Sequence, residues 1–291
     1  MSSTESPDDL KVAGLFSYPL KGGRVVAHAS ASVLTSGLQH DRQWMLVDVR
    51  HSPARFVTQR ECPLMATIDV QALADGSLRL SSAGQGSIVA PLPPVSALIK
   101  VQVWSHETIA LDAGDEAAHW CAAALGFDKQ HVRLVRFNDA LRRDCNKKYA
   151  GDSGAHTFFA DGYPLLITNT ASLVDLKNRV GAAVGKVEEV ITMDRFRANI
   201  VIDGLPAWDE DFIDTLQIGE VTLKLVKPCV RCQVTTTDQL TGASVSDEPL
   251  STLARFRNDP AFGGVTFGWN AVVTSEGAIA LGDSVTADYR F

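Results

Sequence analysis

Two cysteines spaced as Cys229-Val230-Arg231-Cys232, directly after Lys227-Pro228, are the residues of this chain best equipped for chemistry. A thiolate is both a nucleophile and a soft metal ligand, and Arg231 beside Cys232 is expected to favour that ionised form. The proline is expected to end a strand, which places the pair on a turn at a barrel rim, with a Thr-rich strand, Val234–Thr237, leaving it. Four readings of the pair compete. A structural zinc needs four ligands, and the sequence has neither a second CxxC nor a suitably spaced histidine pair. A thioredoxin-like redox pair opens a helix inside a βαβ unit, whereas this one lies between strands. Buried cysteines also serve simply as small apolar residues. The fourth reading is a single thiolate ligand of a soft or high-valent metal centre. On balance the segment Lys227 to Gly242 is expected to be the working part, with Cys232 as its reactive or metal-binding atom.

Two other clusters suit anions. Asp194-Arg195-Phe196-Arg197-Ala198-Asn199 leads into the strand Ile200–Ile202, and alternation would set Arg195, Arg197 and Asn199 on one face. Two guanidiniums and an amide match a phosphate and a heterocycle edge, or else form a solvated strand end. Near the N-terminus lie Lys21-Gly22-Gly23-Arg24, Asp41-Arg42 and Gln59-Arg60. Lys21 before two glycines presents an ammonium and backbone N–H groups to an anion, or sits exposed on a hairpin turn. Gly151-Asp152-Ser153-Gly154 imitates a serine-protease segment without a histidine in the matching context. A Walker loop and a strand–GxGxxG–helix pattern are absent from the sequence.

Positioning such groups requires a scaffold, and the chain reads as mostly β with a few helices, an α+β fold. Short β-branched and aromatic runs separated by Gly, Pro, Asp and Ser predict strands at Val12–Phe16, Trp44–Val49, Ala66–Val70, Ser77–Leu80 and Leu98–Val103. A helix is predicted from Asp115, with acidic residues in its first turn and Gly126 closing it. Further helices are predicted at Thr170–Val180, stopped by Gly181, and from Pro249 onward. Strands are expected at Leu165–Thr168, Asn199–Ile202, Val221–Val226, Ala271–Thr274 and Ile279–Val285. The composition shift near Asp115 divides the chain into residues 10–114 and 115–291.

A formal charge of −7, from 27 Lys and Arg against 34 Asp and Glu, argues against a nucleic-acid coat or an anionic-membrane binder. A polar, acidic lead and no apolar run near the ~20 residues of a membrane span add to the expectation of a cytoplasmic protein without membrane partners. Five cysteines, an odd number, fit reduced thiols.

The clusters, taken together and in order, resemble the MOSC domain: RFRANI from Arg195, KPCVRCQVTTTD from Lys227 with Thr241-Gly242 after it, and Leu281-Gly282-Asp283. YPLKGG from Tyr18 and DRQWMLVD from Asp41 resemble the β-barrel domain that precedes MOSC. The combination is similar to the mitochondrial amidoxime-reducing component and its bacterial relatives. That resemblance implies an N-terminal β-barrel-like domain packed on a C-terminal MOSC β-barrel. It also implies a molybdenum cofactor, a molybdenum–pyranopterin. Cys232 would then be both metal ligand and catalytic, and Lys21, Arg42, Arg197, Asn199 and Arg231 would bind the cofactor. Asp161, in Ala160-Asp161-Gly162-Tyr163-Pro164, matches an acidic residue near the metal and would serve a proton step if its pKa is raised. Gly162 and Tyr163 stand where family members can carry Thr-Ser, and Val230 replaces a small polar residue, so pterin contacts there are expected from the main chain. The implied activity is reduction of N-hydroxylated compounds. Electrons are expected from a separate reductase or ferredoxin-like donor, because the iron–sulfur cysteine cluster of some bacterial relatives does not follow the barrel here. The alternative is a sulfur or molybdenum-cofactor carrier using Cys232, as in the MOSC domain of cofactor sulfurases.

Overall fold

The strand Trp44–Asp48 is buried on both faces, and those faces point into two different cores. In the computed structural model, which describes residues 10–184 and 191–290, Met45 and Val47 join one apolar cluster while Trp44 and Leu46 join another. Successive side chains of a strand point oppositely, so an uninterrupted apolar run must lie between two layers. One layer is a closed barrel of five strands, in the order Leu98–Val103, His106–Asp112, Val132–Phe137, Trp44–Asp48 and Ala54–Phe56. The last pairs in parallel with the first, Ala54 opposite Val101. The second layer is the helix Asp115–Leu125 with the three-stranded sheet of Asp69–Ala72, Leu78–Ser82 and Gly86–Ala90.

A nine-stranded sheet carries most of the remainder. Its path runs from Val26–Ala27 through Lys11–Ser17, Ile200–Asp203, Leu165–Asn169, Gly264–Ser275, Val221–Val230 and Ile213–Ile218 to Val285–Tyr289. Lys11 bridges Ser284, and the Val285 N–H donates to the Leu10 carbonyl at 2.7 Å, so the sheet curls round on itself. Val221, Leu223 and Leu225 point into its core, as their alternation with Thr222 and Lys224 requires. Lys11–Ser17 and Val132–Phe137 each lie in a sheet built mainly from the other half of the sequence. The chain therefore passes between the two halves on both sides of residue 115.

Among the described residues there are four α-helices, and Asp115–Leu125 ends at Gly126 in the left-handed conformation, as its sequence predicts. The helix predicted to stop at Gly181 instead runs Thr170–Val184. A glycine inside a helix costs only about 1 kcal/mol relative to alanine. The buried Leu176 and Val180 anchor this helix against Leu253 and Phe267. Ala66 lies in a 3₁₀ helix, Pro63–Thr67, and the strand expected there begins at Asp69. The single strand expected at Ile279–Val285 is two, Gly277–Ala280 and Val285–Tyr289, separated where Asp283 accepts from the Ala280 N–H at 2.7 Å.

The strand before the cysteines does not stop at its proline. Val221–Val230 continues through Pro228, which lies opposite Trp269, and register shifts on either side absorb the missing donor. Nor is Val234–Thr237 a strand: Gln233–Thr236 is a 3₁₀ helix. The Thr235 hydroxyl donates back to the Cys232 carbonyl at 3.0 Å and that of Thr236 to the Gln233 carbonyl at 2.8 Å. Such local bonds compete with strand pairing, which β-branching alone does not reveal.

The facing strand bends at Gly268, where φ is 71° and an added Cβ would lie 2.6 Å from the Ile167 carbonyl oxygen. Only glycine permits this approach. Gly268→Ala is expected to destabilise the protein by about 1–3 kcal/mol, read as a lower urea midpoint; an unchanged midpoint contradicts the bend as described.

Candidate functional site

The two halves meet at a pair of guanidinium groups. Arg42, with φ 50°, follows a turn in which its N–H donates to the Tyr18 carbonyl at 2.9 Å. Arg197, with φ 57°, caps the 3₁₀ helix Met193–Phe196 just before the strand Ile200–Asp203. Both guanidiniums lie over the Tyr18 ring, at 4.2 and 4.1 Å from its centroid. The phenol donates to the Ala198 carbonyl at 3.2 Å, and burial pushes its pKa up, so it remains neutral.

Each arginine is held differently. Arg42 Nη1 donates to Asp41 Oδ2 at 2.5 Å and to Asn199 Oδ1 at 3.1 Å, and Nη2 to the Arg197 carbonyl at 3.2 Å. Asp41 is itself buried and accepts the Tyr18 N–H at 2.8 Å. Arg197 makes no hydrogen bond to a carboxylate among the described residues. Its Nη1 donates to the Gly23 carbonyl at 2.9 Å, while Nη2 is buried without a partner. Burial pushes the Arg197 pKa down to about 10, against the pull of Tyr18 and with the push of Arg42. Asn199 fixes the strand behind it: Oδ1 also accepts the Leu166 N–H and Nδ2 donates to the Phe16 carbonyl, both at 3.1 Å.

Lys21 and Asp161 form the second pair. The Lys21 N–H donates to the Trp44 carbonyl at 2.8 Å, so the edge of the first barrel sets its backbone. The next residue, Gly22, has φ 83°, and an added Cβ would meet Met65 Cε at 2.8 Å. Lys21 Nζ donates to Asp161 Oδ1 at 2.5 Å and to the Phe159 carbonyl at 2.8 Å. Trp104 Nε1 donates to the same Oδ1 at 2.9 Å. Asp161 lines both lobes of the groove described below. Withdrawal from water raises the Asp161 pKa, but Lys21, Trp104 and Arg42 outweigh it and hold the carboxyl well below the ordinary range. The raised pKa on which its proton role was conditioned is therefore not found. Burial lowers the Lys21 pKa, with Asp161 opposing.

These groups line two adjoining lobes of a groove, of 120 and 90 Å³. Lys21, Gly22, Asp161 and Arg197 are common to both; Arg42, Asn199 and Cys229 line only the first, and Cys232 only the second. Both cysteines are half-buried free thiols. Cys229 is the last residue but one of the long strand, and Cys232 precedes the 3₁₀ helix in an extended conformation.

Arg231 does not serve Cys232. Its Nη1 donates to Cys229 Sγ at 2.8 Å and its Nη2 to the Phe196 carbonyl at 2.6 Å. Arg195 also departs from the shared face expected of it, because residues 193–196 are helical rather than extended. It turns to the Thr236 carbonyl at 2.8 Å and to Asp238 at 3.5 Å, tying down the segment after Cys232. Arg143 is a residue that sequence reasoning missed. It is buried and donates to the carbonyls of Phe158, Ala160 and Asp161, shaping the loop that presents Asp161. The sequence signal was slight: one of two arginines in a polar stretch. Trp104 was also missed, an indole on a turn at φ 55° where a bulky side chain is unusual.

Fold and site thus define a protein of two β units that share a buried cationic cradle beside a half-buried thiol. The MOSC domain model matches residues 154–286, and the MOSC N-terminal beta barrel domain model matches residues 9–128. Mitochondrial amidoxime-reducing component 1 of Homo sapiens is 33% identical over 288 residues, covering 94% of this chain and 82% of that protein. The Mus musculus counterpart is 31% identical over 288 residues, covering 94% and 81%. Molybdenum cofactor sulfurase of Drosophila grimshawi is 32% identical over 252 residues, 83% of this chain but 30% of that longer protein. The chain belongs to the MOSC-domain family that includes the mitochondrial amidoxime-reducing components.

Because the cations around Asp161 outweigh its burial, its carboxyl carbon resonance should stay flat from about pH 8 down to about pH 4. In Lys21→Met the main opposing charge is lost, and the titration should rise into that window. A mid-window titration in the unsubstituted protein contradicts the electrostatics described.

Proposed function

We propose that this chain is a molybdenum-cofactor oxidoreductase that reduces N-hydroxylated compounds, with electrons from a separate donor. The observation that carries the reading is the buried Arg197 Nη2, without a partner among the described residues, on a side chain that lines a groove with Lys21, Arg42 and Asp161. A buried donor left unpaired costs about 1–3 kcal/mol, more when charged, so this cradle is built for an anion. A phosphate-bearing pterin fits that donor set. Lys21 and Arg197, with Arg42 behind them, would hold the phosphate and pterin edge, and Asn199 has one amide hydrogen left for the same ligand. Cys232 lies in the adjoining lobe and would be the thiolate that completes the sulfur ligands of the metal. Arg231 keeps the cysteine turn in register from behind. When bound, the cofactor supplies a metal centre able to deliver two electrons.

The balance of the reaction then sets what the protein must do. An amidoxime takes up two electrons and two protons; the N–O bond breaks, and an amidine and water leave. One proton goes to the departing oxygen, and solvent supplies the other to the nitrogen it leaves. Asp161, ionised, lines both lobes of the groove while its Oδ1 holds the Lys21 ammonium. Lys21, its pKa lowered by burial, releases a proton more readily than a free lysine. Lys21 is therefore the proton source of this pair, and the ionised Asp161 holds and orients its ammonium. The electron donor is a separate reductase or ferredoxin-like protein, and the five free thiols accord with a reducing, cytoplasmic setting. No described helix is long and apolar enough to cross a membrane.

The half-buried state of Cys232 and the likeness to a cofactor sulfurase favour a second reading, a carrier of sulfur or cofactor. Turnover separates the two. Protein from a cofactor-competent host should oxidise reduced viologen when given an amidoxime. Cys232→Ser should lose that activity at least about a hundredfold, together with its molybdenum. Asp161→Asn should lose turnover while keeping the cofactor. Cofactor-loaded protein that never turns over, yet passes its cofactor or a persulfide sulfur to an acceptor, would overturn the reductase in favour of the carrier.

A further inference from the structure

The lobe that holds Cys232 does not open directly to solvent on every side. It shares Phe56, Thr58, Arg60 and Trp104 with a larger cavity of 440 Å³ on the first barrel. Trp104 is the partition between them. It sits on the turn joining Leu98–Val103 to His106–Asp112, with its carbonyl accepting from Gln102 Nε2 at 2.8 Å. The indole packs edge-on against Phe56, centroids 4.9 Å apart, and its N–H reaches Asp161. One side of this wall therefore faces Asp161, and Trp104 remains 41% exposed. The charge of the outer cavity is uneven. Arg55 and Arg60 both line it, and among the described residues neither has a carboxylate partner; Arg60 lies over the Trp104 ring at 5.0 Å. Glu61 is the one acid in the lining, beside Thr58.

We infer that this outer cavity is the substrate subsite, and that it selects N-hydroxylated compounds carrying a flat ring with an anionic substituent. The inference rests on the reductase reading and names its substrate class. The ring packs against the exposed part of Trp104, which the buried Phe56 backs edge-on, and there an aromatic face gains contact that an alkyl group lacks. The anionic substituent points outward to Arg55 and Arg60, whose charges are otherwise unanswered. The N–OH end then projects past the indole into the lobe of Cys232 and Asp161. Trp104 is a specificity residue, and Arg60 and Arg55 discriminate by charge.

The test compares acetamidoxime, benzamidoxime and 4-carboxybenzamidoxime by kcat/KM, and by calorimetric binding to the loaded enzyme. The expected order is carboxyaryl, then aryl, then alkyl. Trp104→Leu should cut the aryl-to-alkyl ratio about tenfold, while Trp104→Phe, which keeps a ring but loses the N–H, should preserve most of it. Arg60→Gln should cut the carboxyaryl-to-aryl ratio about fivefold or more, with a steeper loss in Arg55→Gln/Arg60→Gln. Reduction of all three compounds with ratios that no substitution moves would overturn the subsite and leave the reductase standing. If none is reduced, binding decides: Trp104- and Arg60-dependent binding of the carboxyaryl compound would support the subsite while the reductase reading fails. No binding at all would overturn the subsite as well.

Discussion

Two buried guanidiniums over one tyrosine ring set the terms for the rest of this structure. Like charges of this kind are costly to bury unless each is answered, and among the described residues only Arg42 of the two is hydrogen-bonded to a carboxylate, that of Asp41. Arg197 has a carbonyl, a ring and one donor atom left over. Tyr18 and Arg42 come from the beginning of the chain and Arg197 and Asn199 from well beyond its middle, so the arrangement exists only when the two β units are docked. Asn199 makes this explicit: its side chain joins Arg42, Phe16 and Leu166 in one set of hydrogen bonds. Folding thus leaves a cationic demand in the groove that an anionic ligand would satisfy.

The cysteine turn is organised by the same logic of unequal neighbours. Cys229 is held by Arg231 and faces the lobe of Arg42 and Asn199, whereas Cys232 is released onto the other side of Lys21 and Arg197. The register shifts around Pro228 and the bend at Gly268 allow a single pair of strands to turn the two thiols into different lobes. Two cysteines three positions apart consequently have different surroundings: one is fixed beside a guanidinium, and the other lines the lobe that Trp104 and Asp161 share.

Much of this could be read from the sequence, for reasons that differ by residue. The helix from Asp115 to Leu125 was legible because its acidic start and its glycine stop are local signals. The alternation of Val221, Leu223 and Leu225 was legible because one face of that strand alone is buried. Lys21, Arg42, Arg197, Asp161 and Cys232 could be picked out by resemblance, and all five line one groove. What failed were inferences from adjacency. Arg231 is next to Cys232 in sequence yet bonds Cys229, and Arg195 is two residues from Arg197 yet faces away, since a 3₁₀ turn replaced the expected strand. The roles of Arg143 and Trp104 depend on carbonyls and a carboxylate that only the tertiary fold brings near them. The same holds for Asp161, whose carboxyl is lowered by charges that lie far away in the chain.

The central claim is that the groove holds a molybdenum cofactor whose metal takes its protein sulfur from Cys232 and not from Cys229. X-ray absorption at the molybdenum edge, on protein purified from a cofactor-competent host, tests this most directly. Cys229→Ser should leave the number of sulfur neighbours unchanged, and Cys232→Ser should remove one of them or abolish metal retention. Molybdenum bound with the same sulfur count in Cys232→Ser, or a count that falls only in Cys229→Ser, would contradict the account.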